Sequence, residues 1–277
     1  MFSRTIALNG FDFVLDELDS LGLSSPAPFE PDTLQALEKL TKPGFAVLDI
    51  GANIGFFTAH LSRLVGTSGQ VIAIEPNKEN FQLLHENVRR NQLTNVVLHN
   101  LAVGENDGSA ALYLSDWNGG MHRMYESVCC TAATEIVPVV KIDNLIPEIK
   151  IDLIKIDIEG YEYFALKGAH NCLTLNPQLK IITEYSPASL LEAGASPLTF
   201  LSYLESLGFY PATLDGQTLD LAQFKNEASL FAAYGQQRFV SECAGKSNPE
   251  IFALVTEIAA KLGCKRPIIE NLIFARP

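Results

Sequence analysis

One short segment, which joins a predicted strand to a predicted helix, carries residues suited to holding a small ligand. It reads LDIGANIGFFT, residues 48–58, and sets Asp49, Gly51, Asn53 and Gly55 around one turn. A dinucleotide-binding turn has the pattern G-x-G-x-x-G, whose middle glycine lets the backbone approach a pyrophosphate. Asn53 stands at that position, and the segment also lacks the Gly-Lys-Ser/Thr ending of a phosphate-binding loop. The turn therefore predicts a nucleotide-like ligand that brings no phosphate to this place.

The acid before the turn indicates which ligand this is. The carboxylate of Asp49 would repel a diphosphate and attract a ligand that carries an ammonium and a sulfonium group. S-adenosylmethionine carries both, so we predict it as the cofactor. Two alternatives stay open: Asp49 only accepts hydrogen bonds from the backbone of the turn, and Asn53 is present only because asparagine tolerates left-handed backbone.

Further cofactor contacts are predicted at the ends of the next two strands. Glu75 follows Gly51 by 24 residues, about where such folds place an acid that accepts both ribose hydroxyls. NAD-binding folds use the same device, so Glu75 alone does not distinguish the two cofactors. Asn100 and Ala102 follow the third strand, where the next loop would pass the adenine edge. The predicted cofactor-binding residues are Asp49, Gly51, Asn53, Gly55, Glu75, Asn100, Ala102 and Asp157.

A second group of charged residues could handle a proton. In the segment KIDIEG, residues 155–160, alternation along a strand would bring Lys155, Asp157 and Glu159 to one side. A hydroxyl that receives a methyl group must lose its proton to a nearby base. We predict Asp157 as that base or as the group that orients the acceptor, with Glu159 next. The alternative is a structural ion-pair cluster that braces the loops.

Two more residues complete the predicted catalytic region. His122 lies in an aperiodic stretch beside two glycines and could move over the acceptor, or it is a solvent-exposed histidine without a role. Glu184 could line the acceptor side or, with Asp157, bind a divalent ion. These acids lack diagnostic ligand spacing, so no metal is predicted.

Composition limits the partners. The chain has 277 residues, is 47% hydrophobic and carries a formal charge of -12, so it can bury a large core and would repel nucleic acid or an anionic membrane. Acids near the amino end and the lack of a long apolar run predict a cytoplasmic protein without a membrane span. The five cysteines show no metal-binding or redox spacing and are predicted to be reduced thiols.

The order of elements predicts how these residues are positioned. From residue 46 onward, short β-branched runs alternate with helical stretches, as in a parallel sheet covered by helices on both faces. Residues 116–135 are predicted to form a mobile loop, 1–43 an N-terminal extension with one or two helices, and 216–268 a mostly helical insertion before the last strand. The predicted strands are 46–50, 71–74, 96–100, 152–157, 180–185 and 271–275.

Five blocks carry a resemblance to a known family. They are VLDIGANIGFFT, VIAIEPNKENFQLLHENVRRN, NLAVGENDGSAALYLS, VPVVKIDNL and IKIDIEGYEYFALKGA. In this order they resemble the FkbM-type methyltransferases, a branch of the class I S-adenosylmethionine-dependent enzymes. The resemblance covers roughly residues 44–210, within a methyltransferase domain predicted for 44–277. It implies an α/β fold, a doubly wound, mostly parallel seven-stranded Rossmann-like sheet whose last strand lies antiparallel beside the fifth.

The same resemblance implies methyl transfer, usually to a hydroxyl of a sugar, lipid or natural product. The predicted partner is therefore a small hydroxylated acceptor, and the N- or C-terminal helices could form an oligomer interface. Two alternatives from other classes remain: an NAD-linked oxidoreductase on a Rossmann-like fold, and a catalytically inactive binding or partner module. Asn53 and the acidic floor favour the methyltransferase over the oxidoreductase.

Overall fold

The structure is a computed structural model that describes residues 4–115, 117–130, 133–147, 149–264 and 269–277. Within these residues the strands are β1 Arg4–Leu8, β2 Phe11–Leu15, β3 Ala46–Ile50, β4 Gln70–Ile74, β5 Val96–His99, β6 Ala102–Val103, β7 Gly108–Leu114, β8 Ala133–Val140, β9 Leu153–Ile156, β10 Lys180–Tyr185, β11 Tyr210–Ala212 and β12 Glu270–Ala275. The helices are α1 Pro31–Leu40, α2 Phe56–Val65, α3 Lys78–Arg90, α4 Ile142–Leu145, α5 Glu162–Lys167, α6 His170–Leu175, α7 Pro187–Glu192, α8 Pro197–Ser206, α9 Leu221–Tyr234, α10 Gln236–Cys243 and α11 Asn248–Leu262.

A seven-stranded sheet forms the centre of the fold. Its order is β11-β12-β10-β9-β3-β4-β5, in which β10, β9, β3, β4 and β5 run parallel and β12 pairs antiparallel with both β10 and β11. The predicted fold class and the antiparallel last strand are confirmed. Strand order reverses at β3, and open sheets of this kind bind ligands at the carboxyl ends of the strands beside such a reversal.

The six predicted strands are all present, with ends shifted by one residue at most. All four residues of β9 are buried, as expected for a parallel strand covered on both faces. The helix predicted after the first turn is α2, which ends at Gly66. Asn77 is the N-cap of α3, and its side chain accepts hydrogen bonds from the amides of Glu79 and Asn80.

The N-terminal extension differs from the prediction, because a β-hairpin precedes its helix. Strands β1 and β2 join through Asn9 and Gly10, both with positive φ, which is how a tight hairpin turn forms. The amide of Val14 donates to Oδ1 of Asn87 in α3, and Nδ2 of Asn87 donates back to the Val14 carbonyl. The side chain of Asn87 thus fixes the hairpin to helix α3.

Two further segments bear on the site. The loop predicted for 116–135 is shorter at its end than expected, since β8 begins at Ala133 and pairs with β7. Helices α9, α10 and α11 confirm that 216–268 is mostly helical where it is described, and they pack around an apolar cluster of their own that includes Phe231 and Phe239.

Among the described residues, no helix combines the length and the apolar character needed to cross a bilayer.

Candidate active site

A cleft opens at the carboxyl ends of β3, β4 and β9, where the strand order reverses. It encloses about 550 Å³ of space not filled by protein atoms. Its lining combines apolar side chains with a few convergent polar groups, as small-molecule sites do. The lining residues are Ile50, Gly51, Asn53, Ile74, Glu75, Pro76, Asn80, Ala102, Val103, Leu112, Gly119, Gly120, His122, Met124, Asp157, Ile158 and Glu159.

The turn after β3 forms one wall of this first cleft. Gly51 has φ +78°, and a Cβ atom there would overlap the carbonyl of Asp157, so only glycine allows the two segments to meet. Asn53 also has left-handed backbone, with φ +50°. Its Oδ1 accepts from the amide of Ile54 at 2.7 Å, and its Nδ2 donates to the carbonyl of Gly119 at 3.3 Å. Asn53 therefore links the turn to the loop that covers it.

Glu75 lies at the end of β4 and is only 5% exposed. Its Oε2 accepts from the amide of Asn53 and its Oε1 from the amide of Asn77, each at 2.9 Å. The side chain of Asn80 is a third hydrogen-bond donor to this carboxylate, so one of its four lone-pair sites remains for a ligand hydroxyl. Burial raises the pKa of Glu75 to about 7, against the opposing effect of the two amides.

Asp49 lies below the turn and is fully buried. Its Oδ2 accepts from the hydroxyl of Thr58 at 2.5 Å, while its Oδ1 has no hydrogen-bond partner among the described residues. Burial raises the pKa of Asp49, and the neighbouring ammonium of Lys155 opposes this effect. The predicted acidic floor is thus present in position, one layer beneath the residues that line the cleft.

The other predicted cofactor residues take different places. Ala102 lines the first cleft, whereas the side chain of Asn100 donates to the carbonyls of Glu75 and Pro76 at 2.9 and 3.0 Å. Asn100 therefore braces the end of β4. Gly55 is the N-cap of α2 with φ +92°. A second glycine of the turn thus also needs the left-handed region.

His122 lines the first cleft from the covering loop. Its Nδ1 accepts a hydrogen bond from the amide of Ser115 at 3.1 Å. The neutral ring therefore carries its proton on Nε2 and offers the cleft a donor. Burial lowers the pKa of His122, which favours this neutral form. The histidine predicted to act on the acceptor thus lines the first cleft and is not among the residues that line its larger neighbour.

A second, larger cleft adjoins the first and has about 820 Å³ of unfilled space. The two clefts share Gly51, Asn53, Gly120, Asp157 and Glu159. Aromatic rings form one side of the second cleft, and carboxylates lie at its floor. The residues found only in the second cleft are Ser20, Leu21, Phe29, Glu30, Ala52, Phe56, Phe57, Asn118, Met121, Lys155 and Glu184.

Charged side chains gather where the two clefts meet. Nζ of Lys155 lies 3.4 Å from Oδ2 of Asp157, so the predicted shared face is confirmed. Carboxylate oxygens of Asp157, Glu159 and Glu184 all lie within 4.8 Å of one another. That spacing would also suit one divalent cation. The cluster brings the predicted base, its predicted substitute and the acceptor-side acid to one place.

The close packing of these acids changes how they ionise. Burial, together with the carboxylates of Glu159 and Asp157, raises the pKa of Glu184 well above its ordinary value. Burial also raises the pKa of Glu159 to about 7, although the guanidinium of Arg123 opposes it. The junction therefore holds carboxyl groups that can exchange protons near neutral pH.

Two site residues were missed by the sequence analysis. Glu30 lines the second cleft from the N-terminal extension, has φ +39° and is held by Nδ2 of Asn271 at 3.1 Å. Arg123 is 6% exposed and contacts Glu159. Pro31 does mark the start of a helix after Glu30, but no local pattern says that the acid faces a cleft formed by β9 and β10.

Comparisons with known proteins agree with this architecture. Over 116 residues the chain is 31% identical to protein-L-isoaspartate O-methyltransferase 1 of Arabidopsis thaliana, a match that covers 41% of this chain and 47% of that protein. It is 24% identical to methyltransferase 1 of Beauveria bassiana over 143 residues, 44% of this chain and 57% of that protein. The chain thus spans about half the length of these curated relatives.

A solved structure and a family model complete the comparison. The crystal structure of methyltransferase FkbM from Methylobacillus flagellatus aligns with a TM-score of 0.39 and 23% identity, covering 55% of this chain and 40% of that one. The model of the methyltransferase FkbM domain matches residues 49–211, more than half of the chain and nearly the whole span from the glycine turn to β11. The chain therefore belongs to the FkbM methyltransferase domain family, whose members use S-adenosylmethionine as the methyl donor.

Proposed function

We propose that the protein is an S-adenosylmethionine-dependent O-methyltransferase that acts in the cytoplasm on a hydroxyl of a small molecule, such as a sugar, a lipid or a natural product. One observation carries the proposal: two clefts meet at Asp157 and Glu159. A transferase needs such a junction, because donor and acceptor must touch at one point.

The residues of the first cleft fit the cofactor. Glu75 keeps an acceptor site for a ribose hydroxyl, and the Asp157 carbonyl fills the space that a side chain on Gly51 would need. Asp49 has an unpartnered buried oxygen beneath the turn. This arrangement suits a cationic adenosyl ligand better than a dinucleotide, and the family match supports the same choice over an NAD-linked oxidoreductase.

For methyl transfer the protein must mainly position the donor and the acceptor and accept a proton. Bound S-adenosylmethionine would supply an activated methyl group, because breaking the methyl–sulfur bond releases a neutral thioether, which is a good leaving group. Asp157 would take the proton of the acceptor hydroxyl, whose oxygen gains the methyl group. Lys155 stays an ammonium beside Asp157: burial works against this, but the carboxylates of Asp157, Asp49 and Glu30 raise its pKa. It therefore balances part of the acidic cluster.

Features of the second cleft support the proposed class of acceptor. It is an open cleft, and its unfilled space of about 820 Å³ includes space open to solvent. Aromatic side chains and several acids line it, and the whole chain carries a charge of -12. These features disfavour a nucleic acid as the acceptor and support a small neutral or hydroxylated one.

Binding and transfer assays test the proposal in sequence. Isothermal titration should show S-adenosylhomocysteine binding in the micromolar range, while a fluorescence titration with NADH should show none. Transfer of a radiolabelled methyl group is then measured onto panels of sugars, lipids, natural products and an isoaspartyl peptide, with EDTA or with Mg²⁺. Absence of cofactor binding would overturn the proposal, and labelling of the peptide alone would replace the small-molecule acceptor with a protein.

A further inference from the structure

A buried arginine in the loop over the first cleft contacts two acids from different parts of the chain. Nη2 of Arg123 lies 3.4 Å from Oε2 of Glu159, and its Nη1 lies 2.5 Å from Oε2 of Glu192 in α7. Nη1 also donates to the hydroxyl of Ser127 at 3.1 Å. Since the guanidinium is a rigid fork, these contacts fix its orientation and not only its charge.

The backbone around Arg123 is held as firmly as its side chain. Its amide and carbonyl pair with those of Tyr113 in β7, at 3.0 and 2.8 Å. Further along the same loop, the Tyr125 hydroxyl donates to the carbonyl of Glu159 at 2.8 Å. The loop thus contacts both the side chain and the main chain of Glu159. The backbone of Glu159 is left-handed, with φ +57°.

The outer partner, Glu192, ties this loop to the C-terminal helices. Its Oε1 accepts from the hydroxyl of Ser127 at 3.0 Å and from the amide of Val128 at 2.9 Å. Its carbonyl accepts from Nε2 of Gln236 in α10 at 2.9 Å. Val128 and Cys129 also pack against the apolar cluster of α9, α10 and α11. These helices lie beyond residue 211, where the family match ends.

The same loop forms part of the wall of the first cleft. Four of its residues line that cleft, and Arg123 lies between two of them in sequence. They are Gly119, Gly120, His122 and Met124. A change in the position of Arg123 would therefore move the cleft wall and Glu159 together.

We propose that Arg123 is a positioning residue, which fixes Glu159 and the segment 117–130 over the cofactor cleft and is itself held by the C-terminal helices through Glu192. This inference rests on the proposed function, because it takes the first cleft to be the cofactor site. It also gives the helices outside the matched domain a role, which is to support the wall of that cleft.

Removing the guanidinium of Arg123 should weaken cofactor binding, and a lysine at this position should restore binding only in part. Arg123→Met leaves the buried carboxylate of Glu192 and the partly exposed one of Glu159 without their cationic partner, which is the costly way to break a buried ion pair. Arg123→Lys keeps the charge but cannot reach both acids with a fork. We expect the affinity for S-adenosylhomocysteine to fall about tenfold or more in Arg123→Met and less in Arg123→Lys.

The experiment combines isothermal titration of S-adenosylhomocysteine with hydrogen exchange on the full chain. Arg123→Met and Glu192→Gln should both speed exchange in 117–130 and weaken binding, with Arg123→Lys intermediate. Arg276→Met is the matched control, because Arg276 donates to the carbonyls of Leu207, Asn176 and Leu173, away from the cleft. This control should lower stability without changing affinity or exchange in 117–130.

The outcomes separate the two proposals. Wild-type affinity in Arg123→Lys and Glu192→Gln, with unchanged exchange in 117–130, would overturn the positioning role even if Arg123→Met fails to fold. Equal loss of affinity in Arg276→Met would also overturn it, because the effect would then be general destabilisation. Failure of the wild-type protein to bind S-adenosylhomocysteine would instead remove the proposed function.

Discussion

The backbone carbonyl of Asp157 occupies the space that a Cβ atom on Gly51 would need. The turn after β3 and the end of β9 are therefore in direct contact, and the cofactor wall and the proposed base share one boundary. Any side chain at position 51 must push these two segments apart.

The first prediction concerns Gly51→Ala. A methyl group there meets backbone, which cannot rotate away, and the residue also has φ +78°. We expect a loss of roughly 2–4 kcal/mol in the free energy of unfolding, from strain plus displacement, and loss of S-adenosylhomocysteine binding. Gly263→Ala is a matched control, since Gly263 has φ +77° with open space around it. It should cost only about 1–2 kcal/mol and leave binding intact. Equal effects of the two substitutions in urea denaturation and titration would contradict this view of the turn.

The second prediction concerns Glu75→Gln. The new amide nitrogen replaces an oxygen that now faces a backbone N–H, so the variant loses an acceptor and gains a repulsion. The affinity for S-adenosylhomocysteine should fall by about ten- to a hundredfold. Calorimetry measures this, with Glu79→Gln at the exposed start of α3 as the control.

Cofactor affinity should also depend on pH through Glu75. Because burial raises its pKa to about 7, the free protein carries a neutral carboxyl below that pH. The ionised form is the stronger acceptor for a ribose hydroxyl, so affinity should increase as pH rises from 6 to 8 and then level off. Glu75→Gln should show a flatter profile. A profile that is the same in both proteins would mean that another group controls binding.

Much of the central sheet follows from the sequence because its cause is local. Parallel strands buried on both faces are mostly apolar, and β3, β4, β9 and β10 are short runs rich in valine, leucine and isoleucine. The N-terminal hairpin was missed although Asn9 and Gly10 form a strong turn signal, because the strands beside them are short and β1 is largely exposed. Its position depends on Asn87, a contact across more than 70 residues.

The residues of the candidate site also differ in how far the sequence predicts them. The positions of the glycine turn, Glu75 and Asp157 can be predicted from the sequence, because these residues follow strands whose ends must meet at one edge of the sheet. The roles of Arg123 and Glu30 cannot be predicted from the sequence, since they depend only on what these residues contact in three dimensions. His122 lines the first cleft, and only the amide of Ser115 fixes which ring nitrogen is available.

The third prediction concerns Asp157→Asn. Its side chain lies at the junction of the clefts, while the contact with Gly51 uses the backbone carbonyl, so the amide variant should keep the turn intact. Turnover on an acceptor found by the screen should fall by about 10²- to 10⁴-fold. The affinity for S-adenosylhomocysteine should change much less. Asp152→Asn, near the other end of β9, serves as the control, because its carboxylate accepts from the amide of Ala46 away from the clefts. Unchanged turnover in Asp157→Asn would refute the assignment of the base.

The fourth prediction concerns stability and the buried acid Glu162, which is 2% exposed. Its Oε1 accepts from the amides of Ile158 and Gly160, at 2.9 and 3.3 Å, and so shapes the loop that carries Glu159. Burial raises its pKa from 4.5 to about 7, against the opposing effect of these amides. The folded protein therefore holds a proton that the unfolded chain has lost between these two pH values. Stability is then highest below about pH 4.5 with respect to this group and declines as pH rises to 7.

Glu162→Gln tests this directly, because the glutamine oxygen can keep both amide contacts while removing the charge. The difference between pH 4.5 and 7 amounts to roughly 3 kcal/mol for one group, since each pH unit is worth about 1.4 kcal/mol. Urea denaturation from pH 5 to 8 should therefore show a shallower decline for the variant, which gains stability over the wild type near pH 8. The control Glu86→Gln removes a partly exposed acid whose pKa Arg89 lowers, so it should not flatten the decline. If Glu162→Gln keeps the wild-type slope, the buried carboxyl is already ionised in the folded protein at pH 5, and the loop is held by a charged group instead of a neutral one.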